Sequence, residues 1–443
     1  MEDKIKYEEV QPLKIVLDIF RRIFVENWER FKAIHCRFNT DYINEVVGKM
    51  LNCGKEEGGY CEYICFGCGQ DVRRVAFTCK SSFCLSCSKV YTDNFISQVS
   101  KVLQPGVVYR HVVLTVPEEQ RIFFFRDREG KLLSEFMRCG DDCLEAAVSK
   151  AVRTKVKVGA ITVFQTHGRD GHYNPHLHVI MTSGGIDEAT GKWVELKYFP
   201  YEILHRKWQY HLFKMLKEQV PTAEMKSLID MLWKKFPHGL VAYITKGNVP
   251  QRFRGLAKYL AKYVASPPIA ISRIIRYTGR EVTYCYNDHK TKRKETITVD
   301  VMTFIGRMVQ HILPKGFQRI RYYGLQATKT FKKWVDAIKE GLEKVGRDIR
   351  DAYQVVAFKK YRERYQEMSG HDPLVCRFCG RILDLWKIWH PKYGTIYDEC
   401  KELKAGKYEK TVSGKDPPTA GDGRCSLRPC AGGIQLPLLP VWV

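Results

Sequence analysis

Two histidines two residues apart, in Asn174-Pro175-His176-Leu177-His178-Val179-Ile180, are the residues best placed to do chemistry in this chain. Residues i and i+2 of a strand share a face. Read as a strand, the segment points His176 and His178 one way, and Leu177, Val179 and Met181 the other way into a core. Two imidazoles side by side make two thirds of a metal site, and the third ligand has to come from a neighbouring strand. Gln165 is the best placed. It sits near the end of the preceding strand, and the glycine-bearing turn 168–175 folds it back towards His176. His167, on the same strand face but nearer the turn, is the second choice. Two imidazoles and a side-chain carbonyl with open positions suit Mg²⁺ or Mn²⁺. Such an ion would act as a Lewis acid on a phosphate.

A second constellation supplies a nucleophile. Tyr259-Leu260-Ala261-Lys262-Tyr263 puts two tyrosines four apart, on one face of a helix expected over residues 253–265 and stopped by Pro267-Pro268. Leu256, Leu260 and Val264 form its apolar stripe, with the tyrosines at the stripe's border. A tyrosine hydroxyl titrates near pH ~10, so it needs a nearby cation to stabilise its phenolate. Its attack on a phosphodiester would give a covalent phosphotyrosine. The bond energy is then kept for rejoining without ATP, in line with the lack of a G-x4-G-K-[ST] phosphate loop.

Cysteines form a third group. Cys65-x2-Cys68 is followed by Cys79-x4-Cys84-x2-Cys87, and two C-x2-C knuckles fifteen residues apart are a strong zinc signal. The expected ligands are Cys65, Cys68, Cys84 and Cys87, with Cys79 as substitute and Cys53 and Cys61 in reserve. Four thiolates leave no open position, so this zinc would be structural. Cys376-x2-Cys379-Gly380 is a further knuckle that His390 and Cys400 could complete.

The elements that must position these groups are legible in outline. Apolar periodicity predicts helices within residues 8–50 and over 132–152, 201–219, 223–236 and 304–313. Strands are expected over 109–116, 158–166, the histidine segment and 238–245, and a hairpin over 282–299. The chain carries 73 Lys and Arg against 49 Asp and Glu, a formal net charge of +24. The excess is spread along the chain and points to a polyanion partner. Its 24 Tyr and 22 Phe would suit base stacking on single strands. No signal-peptide pattern and no long apolar run occurs, so a cytoplasmic, nucleoid-associated protein is expected and no membrane contact.

Taken in order, these blocks resemble the HUH single-strand transposases of bacterial insertion sequences, of the two-tyrosine rolling-circle kind with an N-terminal zinc-binding domain. The resemblance rests on the C-x2-C…C-x4-C-x2-C cluster, the strand Tyr109-Arg110-His111-Val112-Val113-Leu114-Thr115-Val116-Pro117, and Pro175-His176-Leu177-His178. It continues through Tyr259-x3-Tyr263 to His311-Ile312-Leu313-Pro314-Lys315-Gly316-Phe317 and Arg319-Ile320-Arg321-Tyr322-Tyr323-Gly324. It implies an α+β fold, a central antiparallel sheet of HUH-endonuclease type flanked by helices, with a small N-terminal zinc-binding domain and a helical C-terminal region. The expected domains are 1–100, 105–325 and 326–443. It further implies that His176, His178 and Gln165 hold the metal, that Tyr259 and Tyr263 are the nucleophiles, and that single-stranded DNA at element ends and target is the partner. Arg319 and Arg321 are the expected phosphate contacts. A plasmid or phage rolling-circle replication initiator shares this chemistry. A zinc-dependent DNA-binding protein without catalysis is the reading of a different class.

Overall fold

Two long strands, buried along most of their length because helices cover both faces, organise the larger of two units in the chain. The computed structural model describes residues 18–104, 106–168, 170–244, 255, 259, 267–288, 291, 293–344 and 359–404. Residues 1–51 and 80–359 form one unit, and residues 52–79 and 360–443 the other. This differs from the three consecutive segments expected. The helices Ile19–Ile34 and Asp41–Leu51 belong with the larger unit, and the first cysteine knuckle belongs with the C-terminal segment.

In the smaller unit, β1 (Tyr60–Ile64) and β2 (Val72–Ala76) open a four-stranded antiparallel sheet. In the larger unit, β3 (Tyr109–Thr115), β4 (Val156–His167), β5 (Tyr173–Asp187), β6 (Trp193–Glu195) and β7 (Ala242–Ile244) belong to the central sheet. A separate three-stranded sheet holds β8 (Ile274–Tyr277), β9 (Glu281–Asn287) and β10 (Lys294–Asp300). β11 (Ile320–Gly324) returns to the central sheet, whose order is β11-β4-β5-β3-β7 with β6 on β5. All its pairings are antiparallel. β12 (Asp384–His390) and β13 (Gly394–Asp398) complete the small sheet in the order β13-β12-β1-β2. The C-terminal region expected to be helical is thus helical only in part.

Helices cover both faces of the central sheet. On one face Val112, Leu114, Phe164, Leu177, Val179 and Met181 pack against Phe136 and Leu144 of helix Lys131–Val152 and Trp208 and Leu212 of helix Tyr201–Gln219. A Cβ at Gly140 would stand 2.5 Å from Leu177, so the bare glycine lets the first helix sit close on β5. On the other face Ile161, Val163 and Ile180 pack against Phe95 and Val99 of helix Ser88–Ser100 and Ile338 and Leu342 of helix Phe331–Lys344.

The β4–β5 turn is gripped from outside. Tyr284 of β9 donates to the Asp170 carbonyl at 3.1 Å, and Gln310 donates to the Gly171 carbonyl at 3.1 Å. His311 lies 3.0 Å from the Thr166 hydroxyl and 3.1 Å from the Gly171 carbonyl. Sequence period alone placed a helix near residues 304–313. The helix runs Val301–Val309, capped by the Asp300 carboxylate on the Met302 N–H.

At the end of β3 the fully buried Trp208 indole donates to the Thr115 carbonyl at 2.8 Å, beside His176, which Thr115 faces across the ladder. Trp208→Ala is predicted to lower stability by about 3–5 kcal/mol, measured by urea denaturation followed by circular dichroism. A loss within ~0.5 kcal/mol, the range of a surface substitution, would contradict this anchoring.

Candidate functional site

Register decides which side chains meet. His176 pairs with Gln165 on β4 and Thr115 on β3, and His178 pairs with Val163 and Val113. Between the Gln165 and His167 pairings β4 advances two residues and β5 three, from Tyr173 to His176. The extra residue is a bulge at Asn174-Pro175. A proline has no N–H to give the ladder, and a bulge is where a strand tolerates one. Beyond the bulge the alternation resumes with both histidines on the face opposite Leu177 and Val179.

Their ring atoms converge. His176 Nδ1 lies 2.7 Å from the Asn174 carbonyl and donates to it, which leaves Nε2 with its lone pair. That Nε2 is 3.1 Å from His178 Nε2. Two imidazoles bound side by side to one ion at about 2.1 Å each hold their nitrogens about 3.0–3.4 Å apart, so the spacing fits a shared metal. Gln165, 6% exposed, stands opposite His176 across the ladder. Burial pulls the His176 imidazole down to about 4, with Arg121 and Arg319 adding to the effect and the Asn174 carbonyl opposing it. His178 falls well below its ordinary value, again by burial first and then by its neighbours' charge. Neutral imidazole is the ligating form.

One further histidine belongs to this face. His111 of β3, 2% exposed, has Nε2 at 2.9 Å from His178 Nδ1 and Nδ1 at 2.9 Å from the Tyr259 hydroxyl. Burial brings it to about 4, with His176 contributing. Tyr259 therefore lies one imidazole away from His178. Tyr263, with the rest of 256–258 and 260–266, lies outside the described residues; Gly255 and Tyr259 are helical. Arg319 joins the site, its Nε donating to the Phe164 carbonyl at 3.0 Å while its charge depresses His176, His178 and His311. Arg321 does not. It pairs with Thr162, on the opposite face, and its guanidinium donates to the Ser134 hydroxyl at 2.7 Å. The two arginines thus end on different partners, Arg319 on the Phe164 carbonyl and Arg321 on Ser134 of helix Lys131–Val152.

The cysteines group differently from the expected set. Cys65 and Cys68 meet Cys376 and Cys379, and Cys84 and Cys87 are not in that group. The C-terminal knuckle is thus completed by the first knuckle, and His390 and Cys400 are not in its group.

Comparison with known proteins gives this geometry a family. Residues 159–333 match the family model Y2_Tnp, described as "Putative transposase", and residues 23–116 match Zn_Tnp_IS91, a transposase zinc-binding domain. The chain is 31% identical over 311 residues to the transposase for insertion sequence element IS801 of Pseudomonas savastanoi pv. phaseolicola, covering 68% of this chain and 74% of that protein. The chain belongs to the IS91 family of transposases. The transposase is also similar to "Putative transposase y4qJ" of Sinorhizobium fredii, 24% identical over 382 residues, 82% of this chain and 92% of the relative. No solved structure matches it.

The Y2_Tnp match spans Gln165, His176, His178, Tyr259, Tyr263 and Arg319, and the zinc-domain match spans His111 and the first five cysteines of the knuckle cluster. Sequence reasoning quoted His111 only as part of a strand and missed Arg121 altogether. His111 was detectable in principle, since it alternates with Val113 and Thr115 on one face of β3; Arg121 carried no signal. No helix among the described residues is long and apolar enough to cross a membrane.

His176→Ala and His178→Ala are predicted to abolish Mn²⁺ binding in calorimetric titration, and Gln165→Ala to weaken it about 10-fold. Arg321→Gln should leave it unchanged. Wild-type Mn²⁺ affinity in His176→Ala would remove the metal from this face.

Proposed function

We propose that this transposase cuts and rejoins single-stranded DNA through a covalent tyrosine intermediate, with Tyr259 and Tyr263 as nucleophiles. The observation that carries the reading is the Tyr259–His111–His178 chain, two contacts of 2.9 Å that join a hydroxyl to a ligand-type histidine. When His178 ligates through Nε2, its Nδ1 keeps the proton and donates to His111 Nε2. His111 then presents Nδ1–H to the Tyr259 oxygen and fixes its direction.

The tyrosine oxygen attacks the scissile phosphorus, forming an O–P bond to the 5′ side. The P–O3′ bond breaks, and its electron pair leaves on the 3′ oxygen, which takes a proton to become a free hydroxyl. Rejoining runs the same exchange in reverse with a different 3′ hydroxyl, and the second tyrosine allows two strands to be held at once. Mg²⁺ or Mn²⁺ held by His176, His178 and Gln165 would draw charge from the phosphate oxygens. Arg319 and Arg121 add fixed positive charge beside the same histidines. The Arg121 Nε is buried without a hydrogen-bond partner among the described residues. Aromatic side chains and a +24 charge support a single-stranded polyanion as substrate. The transposase relatives favour element ends over a replication origin as the site of cleavage.

The test is a denaturing gel of the protein incubated with labelled single-stranded element ends and Mn²⁺. A protein–DNA adduct is expected, lost with EDTA, with His176→Ala, and with Tyr259→Phe plus Tyr263→Phe. Adduct formation undiminished in the double phenylalanine variant would sink the tyrosine mechanism, and tight binding without adduct would favour a non-catalytic DNA-binding protein. His111→Ala in a Tyr263→Phe background is expected to slow adduct formation about 10–100-fold while Mn²⁺ still binds. Arg319→Gln is expected to slow it by about 100-fold or more.

A further inference from the structure

We infer that Cys65, Cys68, Cys376 and Cys379 form one tetrahedral zinc–thiolate site, built from two knuckles that the chain holds more than three hundred residues apart. Cys376 and Cys379 lie outside both family matches, which end at residues 116 and 333.

The four sulfurs lie within 4.8 Å of one another, with Cys65 to Cys379 at 3.4 Å and Cys68 to Cys376 at 3.6 Å. Four thiolates at about 2.3 Å from one zinc stand about 3.8 Å apart. A disulfide needs about 2.05 Å, so these contacts are the spacing of ligands and not of a bond. Each knuckle has the same internal geometry. Gly69 and Gly380, one residue past each second cysteine, sit at φ +71° and +72°. Each glycine N–H returns to the carbonyl of the first cysteine, at 2.8 Å for Cys65 and 3.1 Å for Cys376. The first cysteine N–H bonds onward, Cys65 to the Asp71 carbonyl at 2.9 Å and Cys376 to the Arg381 carbonyl at 2.7 Å. The N–H groups of Phe378 and Cys379 point at the Cys376 sulfur, 3.4 and 3.5 Å away, as donors to a thiolate do.

A second observation independently holds the knuckles together. Asp71, completely buried, takes Arg73 at 2.8 Å and both the backbone N–H and the guanidinium of Arg377, at 2.8 and 3.2 Å. Arg73 in turn donates to the Pro373 and Val375 carbonyls at 2.6 and 2.8 Å. With Asp71 counted, the two arginines leave one positive charge against the two negative charges that four thiolates leave around one Zn²⁺. On binding, each thiol gives its proton to solvent as its Zn–S bond forms. With four protein sulfurs the ion has no open position, so the site is structural.

The test uses the full-length, zinc-loaded wild-type protein. Brief iodoacetamide treatment with and without a zinc chelator, followed by peptide mass mapping, reads each thiol. Cys379 is exposed, as are Cys36 and Cys400, which serve as reactive controls. Cys379 is expected to stay unlabelled while Cys36 and Cys400 react, and to become reactive with Cys65, Cys68 and Cys376 when zinc is removed. Labelling of Cys379 in the zinc-loaded protein would overturn the site. Zinc content of variants gives the second arm. Cys65→Ser/Cys68→Ser and Cys376→Ser/Cys379→Ser should each lose one equivalent, and the quadruple variant no more than one. Full zinc in the C-terminal double variant would overturn it too.

Discussion

The register of β5 against its neighbours is the constraint on which the candidate site depends. Side chains of a strand alternate strictly, so a slip of one residue exchanges the two faces entirely. Such a slip would put His176 and His178 among Phe136 and Trp208 and bring Leu177 and Val179 to the polar face. Three features hold the register: the apolar set packed under the helices, the bulge that absorbs Pro175, and the grip of Tyr284, Gln310 and His311 on the turn. The two histidines are thus positioned in large part by groups outside their own face.

The same sheet face combines a wet chemistry with a dry wall. Ile161, Val163 and Ile180 pack into a helix-covered core, and Tyr259 is packed against it from the edge. His111 and His176 are almost wholly buried, and their burial keeps them neutral. A buried polar group needs partners, and these rings find them in one another, in the Asn174 carbonyl and in Tyr259. Pre-organisation follows, because no ring can turn without leaving another unpaired.

Much of this arrangement could be read from residue order, and for a physical reason. Period-two alternation is local, so His-x-His on a strand, its apolar counterface and the cross-strand place of Gln165 follow from the segment itself. The helices Lys131–Val152, Tyr201–Gln219 and Ala223–Lys235 were equally plain, since amphipathic stripes are local too. What escaped were relations between distant segments. Nothing in the spacing of Cys65 and Cys68 distinguishes Cys84 and Cys87, fifteen residues on, from Cys376 and Cys379; proximity in sequence favoured the wrong pair. β1, β2, β12 and β13 are short and half-buried without clean alternation, so they carried little strand signal. Likewise the hold of Ser134 on Arg321 joins segments 187 residues apart, which residue order does not announce.

The pairing of β1 with β12, Tyr60 opposite Trp389, carries a consequence for synthesis. A ribosome adds about 5–20 residues per second. Some fifteen seconds to a minute therefore separate the appearance of the first hairpin from that of the strand it needs. During that interval the central sheet and its helices can fold without waiting, while β1 and β2 stand as an open edge. The sheet closes only after β12 has been made, so its completion reports that synthesis has passed that strand. A prematurely terminated transposase would keep its histidine strands but lack the strand that seals its second unit.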